Sequence, residues 1–119
     1  MVEITMQIPD QLAERVERLR PWMAAFLELS LAGFKTPAAE TAAEVVEFLA
    51  TGPTPADVLD YHVSERAQER LRRLLALGAG GALSAEENAE LDEIEQLENL
   101  LIRLKAQVGT QAARRADGA

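Results

Sequence analysis

His62 is the only histidine in a chain of 119 residues that contains no cysteine. A histidine pair within one chain is therefore impossible, and there is no thiolate to act as nucleophile, metal ligand or disulfide partner. Glu86, Glu87 and Glu90 lie close enough in sequence to share a hard cation. No glycine-kinked, oxygen-rich loop of the kind that holds calcium surrounds them, so a solvated helix face is the simpler reading. The stretch GAGG at 78–81 lacks both the lysine and the preceding strand of a phosphate-cradling loop. Arg70, Arg72 and Arg73 in RLRRLL offer an anion patch, but Glu65 and Glu69 stand at distances that favour ion pairs across helix turns. Nothing here assembles an acid, a base and a nucleophile. The chain is expected to act by binding, with no catalysis, metal or cofactor.

The formal charge is −8, and it is unevenly spread. Residues 1–35 carry five acids against four bases, a net of −1, which leaves −7 for the rest. An acidic surface repels phosphate backbones and suits solubility or a basic protein partner. No apolar run approaches the ~18 residues of a membrane span, and the N-terminus lacks a basic-then-apolar leader. A cytoplasmic protein is expected. Aromatic residues make up only 4% of the chain, so packing should run through aliphatic side chains on helices.

The elements that must position these groups are punctuated clearly. At the N-terminus Ile4, Met6 and Ile8 alternate with Glu3, Thr5 and Gln7, the pattern of a strand with one apolar face, and Pro9 stops it. Asp10 opens a helix with Leu12, Val16 and Leu19 on one face. Beyond Pro21 a second helix, with Trp22, Met23, Phe26, Leu27, Leu29 and Leu31, is apolar nearly all round and is expected to be buried. Thr36-Pro37 and Thr54-Pro55 both read as helix starts, and Gly52 as a stop. Ser64 caps a helix whose buried side is Leu71, Leu74, Leu75 and Leu77. Ser84 and Glu87 form a capping box for a last helix carrying Leu91, Ile94, Leu97, Leu101, Leu104 and Val108, with Gly109 as its end.

A lone strand needs a partner for its backbone groups. Since nothing later in the chain reads as one, the expectation is a mainly α homodimer whose short N-terminal β-strand pairs with that of a second copy. Three regions follow: a dimerisation region at 1–35, a helical region at 36–108 and a flexible tail at 109–119. Ile4, Met6, Ile8, Trp22 and Phe26 are the expected dimer interface.

The segment ITMQIPDQLAERVERL resembles the opening of ribbon-helix-helix proteins. The resemblance implies two strands paired antiparallel across a dimer, with the exposed residues Glu3, Thr5 and Gln7 turned to the DNA major groove, which admits such a ribbon. The chain departs from that pattern at Glu3, a carboxylate among phosphates, and at Trp22-Met23-Ala24-Ala25, which offers no cation where the second helix begins. A ribbon that only dimerises fits the same residues.

The later stretches EVVEFLATGPTPADVL, SERAQERLRRLL and GGALSAEENAELDEIEQLENLLIRLKA resemble small bacterial antitoxins whose genes sit beside toxins of the PIN-domain ribonuclease type. That resemblance implies an N-terminal part that dimerises and binds operator DNA to regulate its own expression, and a C-terminal part that occludes the toxin. It also implies an arginine placed in the toxin's acidic pocket, a role for which Arg114 and Arg115 are the candidates; as plain solvated residues they need no role. The rival expectation is a homo-oligomeric scaffold or adaptor with no toxin and no nucleic acid.

Overall fold

The computed structural model describes the backbone of residues 1–117 and the side chains of residues 1–110. Six α-helices follow one another, α1 Asp10–Leu19, α2 Met23–Leu31, α3 Ala38–Ala50, α4 Pro55–Asp60, α5 Glu65–Ala79 and α6 Ala85–Asp117, with a single 3₁₀ turn at Arg20–Trp22 between the first two. Among the described residues there is no strand. The mainly α class holds, and the N-terminal β-strand is corrected.

The reason lies in what a strand requires. Alternation of Ile4, Met6 and Ile8 with polar residues gives the segment a face, but a ladder partner must still satisfy its N–H and C=O groups. Residues 1–9 find no ladder among the described residues and lie irregular against solvent, with Ile4 80% and Met6 69% exposed. The paired ribbon falls with the strand.

α6 is the spine of the molecule. At 33 residues it runs roughly 50 Å at 1.5 Å per residue, and α2, α3, α4 and α5 all pack along it. Its buried stripe is Leu97, Leu100, Leu104 and Val108, at helical spacings of three and four. Against that stripe sit Trp22, Leu29, Ala42, Val45, Leu49 and Val58, which close one core. Gly109 does not end the helix; the backbone continues helically to Asp117, so the tail expected from 109 is largely an extension of α6.

Side-chain caps start the later helices where the sequence placed them. Ser84 accepts from the Glu87 N–H at 3.1 Å while the Glu87 carboxylate accepts from the Ser84 N–H at 3.0 Å. Thr54 and Asp57 repeat the reciprocal pair at 3.1 Å in both directions, and the Ser64 hydroxyl accepts from the Ala67 N–H at 3.3 Å. For α1, Pro9 rather than Asp10 stands at the cap, and Asp10 joins the first turn, where the helix dipole favours its charge.

The expectation of a fully buried second helix is also corrected. Within α2 only Leu29 is buried; Phe26 is half-buried, while Leu27 and Leu31 are 44% and 81% exposed. α2 is apolar on more sides than the other helices of the chain cover. On α5, Leu74 is buried and Leu71 and Leu77 are half-buried, but Leu75 faces solvent. Among the described residues no helix is long and apolar enough to cross a membrane.

Candidate protein-docking groove

α3 and α5 lie on either side of α6 and leave between them an open cleft of about 980 Å³. Helical spacing explains its lining. Ala38 and Thr41 of α3 project together one turn apart, as do Ala67 and Leu71 of α5. The floor is the half-buried Ile94 and Leu101 of α6, with the buried core residue Leu97 beneath them. Small residues on one wall and aliphatic residues on the floor keep the channel apolar at its centre. Charged side chains ring it: Glu40, Glu44 and Glu98 on the α3–α6 side, and Arg66 and Arg73 along α5.

One end is fixed by an ion pair. The Arg70 guanidinium grips Glu90 with two bonds, Nε to Oε2 at 2.7 Å and Nη2 to Oε1 at 2.9 Å. Glu90 is only 3% exposed, and the bond to it raises the Arg70 pKa above an already high value. A fork-to-fork pair of this kind is strong and directional. It pins α5 to α6, and it uses up the Arg70 charge that RLRRLL offered to an anion. The partner is thus a glutamate of the next helix, not Glu65 or Glu69 of its own.

The other end is built on Tyr61, the residue that ends α4. Its ring stacks on Phe48 of α3 with centroids 4.1 Å apart. Its carbonyl accepts from Lys105 Nζ at 2.9 Å. Burial pushes the phenol pKa up, and the negative charge of Glu44 adds to the shift, so the hydroxyl stays protonated at neutral pH. His62 beside it is exposed.

A carboxylate holds the rim of α3 in place from across the core. Glu93 of α6 accepts from the backbone N–H of Lys35 at 3.0 Å, from that of Thr36 at 3.1 Å and from the Thr36 hydroxyl at 2.6 Å. Burial alone would raise its pKa, but these bonds outweigh burial and hold it below the ordinary carboxylate value. The Thr36 hydroxyl in turn accepts from the Ala38 N–H at 3.1 Å, while Pro37 holds the cap position of α3.

Among the described residues every buried side-chain nitrogen and oxygen has a hydrogen-bond partner, and no group of histidine and carboxylate side chains is placed to hold a metal ion. An apolar floor with a charged rim is the anatomy of a protein interface.

The residues singled out from the sequence are scattered. Glu3, Thr5 and Gln7 are exposed on the irregular N-terminal segment together with Ile4 and Met6, and Ile8 is half-buried. With no strand to present them, groove-reading by Glu3, Thr5 and Gln7 has no scaffold. Trp22 is committed within its own subunit: it is 1% exposed and its indole N–H donates to the Pro53 carbonyl at 2.9 Å. Phe26 packs half-buried against the same core. The side chains of Arg114 and Arg115 lie outside the described residues. Tyr61 and Glu93 went unnoticed in the sequence as site residues, and Glu90, read there as part of a solvated face, is buried at 3% exposure. Of their partners, the nearest is 20 residues away for Glu90 and 57 for Glu93. Compared with protein-family models, curated proteins and solved structures, the chain matches none.

Proposed function

We propose that the chain is a non-enzymatic, antitoxin-like protein that binds a small protein toxin and occludes it, with the cleft between α3 and α5 as the docking site. The observation that carries the reading is the combination of an apolar floor at the half-buried Ile94 and Leu101 with a rim of both charge signs. The floor offers area to be desolvated, and the rim sets orientation and partner choice. The −7 carried by residues beyond 35 draws a basic partner toward this half of the molecule. Regulation through operator DNA is no part of the proposal, since it rested on the ribbon.

The test is co-expression with the product of any ribonuclease-type toxin gene that neighbours the chain's own gene, as the resemblance implies. Growth is restored and the two proteins co-purify; Ile94→Arg, which sets a bulky cation on the groove floor, abolishes both while the far-ultraviolet circular dichroism stays helical. Growth arrest that persists with the wild-type chain, or rescue by Ile94→Arg equal to wild type, overturns the reading. A scaffold that organises copies of itself is the second reading, favoured by the apolar residues left exposed on the N-terminal third. It predicts assembly without any toxin.

A further inference from the structure

The exposed apolar side chains are not spread evenly. Of the ten large ones exposed among the described residues, seven fall within the first 31 positions. Scattered singly they would need no explanation, but a contiguous exposed apolar stripe marks a surface that is covered in the working state. The best-formed part of it is on α2. Ala24, Leu27 and Leu31 stand at spacings of three and four, on one stripe of the helix, and all three are exposed. Leu29 and the half-buried Phe26 attach the helix to the core, so the stripe is carried on a rigid element.

The charges beside the stripe are already spent. Glu28 pairs with Arg103 of α6 at 2.8 Å, and Arg20 pairs with Glu17. The surrounding residues 1–35 carry a net −1, whereas the rest of the chain carries −7. A basic partner is drawn to the acidic part and gains little at α2. Two copies of a −8 chain, by contrast, repel through most of their surface and can approach without that penalty only through the neutral third. From this we infer that the outer stripe of α2, Ala24, Leu27 and Leu31, is the surface on which a second copy of this chain docks, helix against helix. The contact is isologous: the same stripe serves both subunits about a twofold axis. It does not involve the groove, and it stands or falls separately from the toxin reading.

The experiment is light scattering after size exclusion on the full chain and on a Leu27→Asp, Leu31→Asp double variant, each with its circular dichroism. Both positions are exposed in the single subunit, so the variant keeps its helical signal. The wild type is expected at twice the 13.0 kDa of one chain, and the variant at the single mass. Because the chain has no cysteine, Leu27→Cys, at the middle of the stripe where a twofold axis sets a residue against its own copy, adds an independent reading under mild oxidation. It forms a cross-linked dimer, while Leu75→Cys on exposed α5 does not. A monomeric wild type, a double variant that keeps the dimer mass, or equal cross-linking at both cysteines overturns the proposal.

Discussion

Glu93 is the residue on which the most structure depends. One carboxylate from the spine satisfies two backbone donors and a hydroxyl at the start of α3, groups that would otherwise face the end of a helix with no partner. Hydrogen bonds to a charged acceptor are worth about 1.5–3 kcal/mol apiece at most, and less where water competes. Glu93→Gln is therefore expected to lower the unfolding free energy by about 1–2 kcal/mol at neutral pH, read from chemical denaturation. The pH dependence has a definite sign. The folded-state pKa of Glu93 lies below its ordinary 4.5, so its contribution is full above that value and is lost as pH falls through the lowered one. The gap between wild type and Glu93→Gln should close in acid; a gap that stays constant would show that shape, not charge, holds the Lys35–Thr36 turn. Arg70 and Glu90 give a second test at this scale. Arg70→Met leaves a buried carboxylate with no partner, and because the guanidinium is 39% exposed the loss should be about 2–3 kcal/mol, below the full buried-pair figure. Adding Glu90→Leu should recover most of it.

At the scale of elements, two glycines with nearly the same backbone separate local strain from packing. Gly52, where α3 ends, has φ +69°, and Gly81, in the α5–α6 turn, has φ +71°. A Cβ on Gly81 meets open space, but one on Gly52 would collide with the Cβ of Arg18 on α1. Gly81→Ala should cost the left-handed penalty alone, about 1–2 kcal/mol, and Gly52→Ala measurably more, with loss of α1 from its seat. Gly109 makes the opposite case. It sits inside α6 with nothing near its Cα, so Gly109→Ala should raise stability by about 0.5–1 kcal/mol; no gain would mean that the helix frays there in solution. These elements also show what could be read from sequence. Helix starts were legible because caps are local: Ser84 with Glu87, Thr54 before Pro55 and Ser64 all bond within three residues. The end of α6 was misread because a glycine stops a helix only where the chain turns, and Gln111, Ala112 and Ala113 beyond it are sound helix formers. The N-terminal strand was misread because alternation names a face and not a partner. The groove was invisible because it is made where α3, α5 and α6 meet, from pairs such as Arg70–Glu90 that no local pattern joins.

The whole molecule divides its chemistry between two surfaces. The acidic body carries a cleft with charged rims, and the nearly neutral N-terminal third carries exposed apolar side chains. The two should answer to salt in opposite ways. Raising ionic strength from about 0.1 to about 1 M shortens the screening length from about 10 to about 3 Å. Association through the α2 stripe is driven by apolar burial and opposed by repulsion between two chains of charge −8, so salt removes the opposing term and self-association should tighten. Docking of a basic partner at the rim of the groove draws on long-range attraction, so the same salt should slow its arrival and weaken it. Sedimentation velocity on the chain alone and titration calorimetry with the partner, each at both salt concentrations, measure the two slopes. A self-association that weakens with salt would mean that ion pairs across the interface hold the copies together, and the apolar stripe would then lose its role.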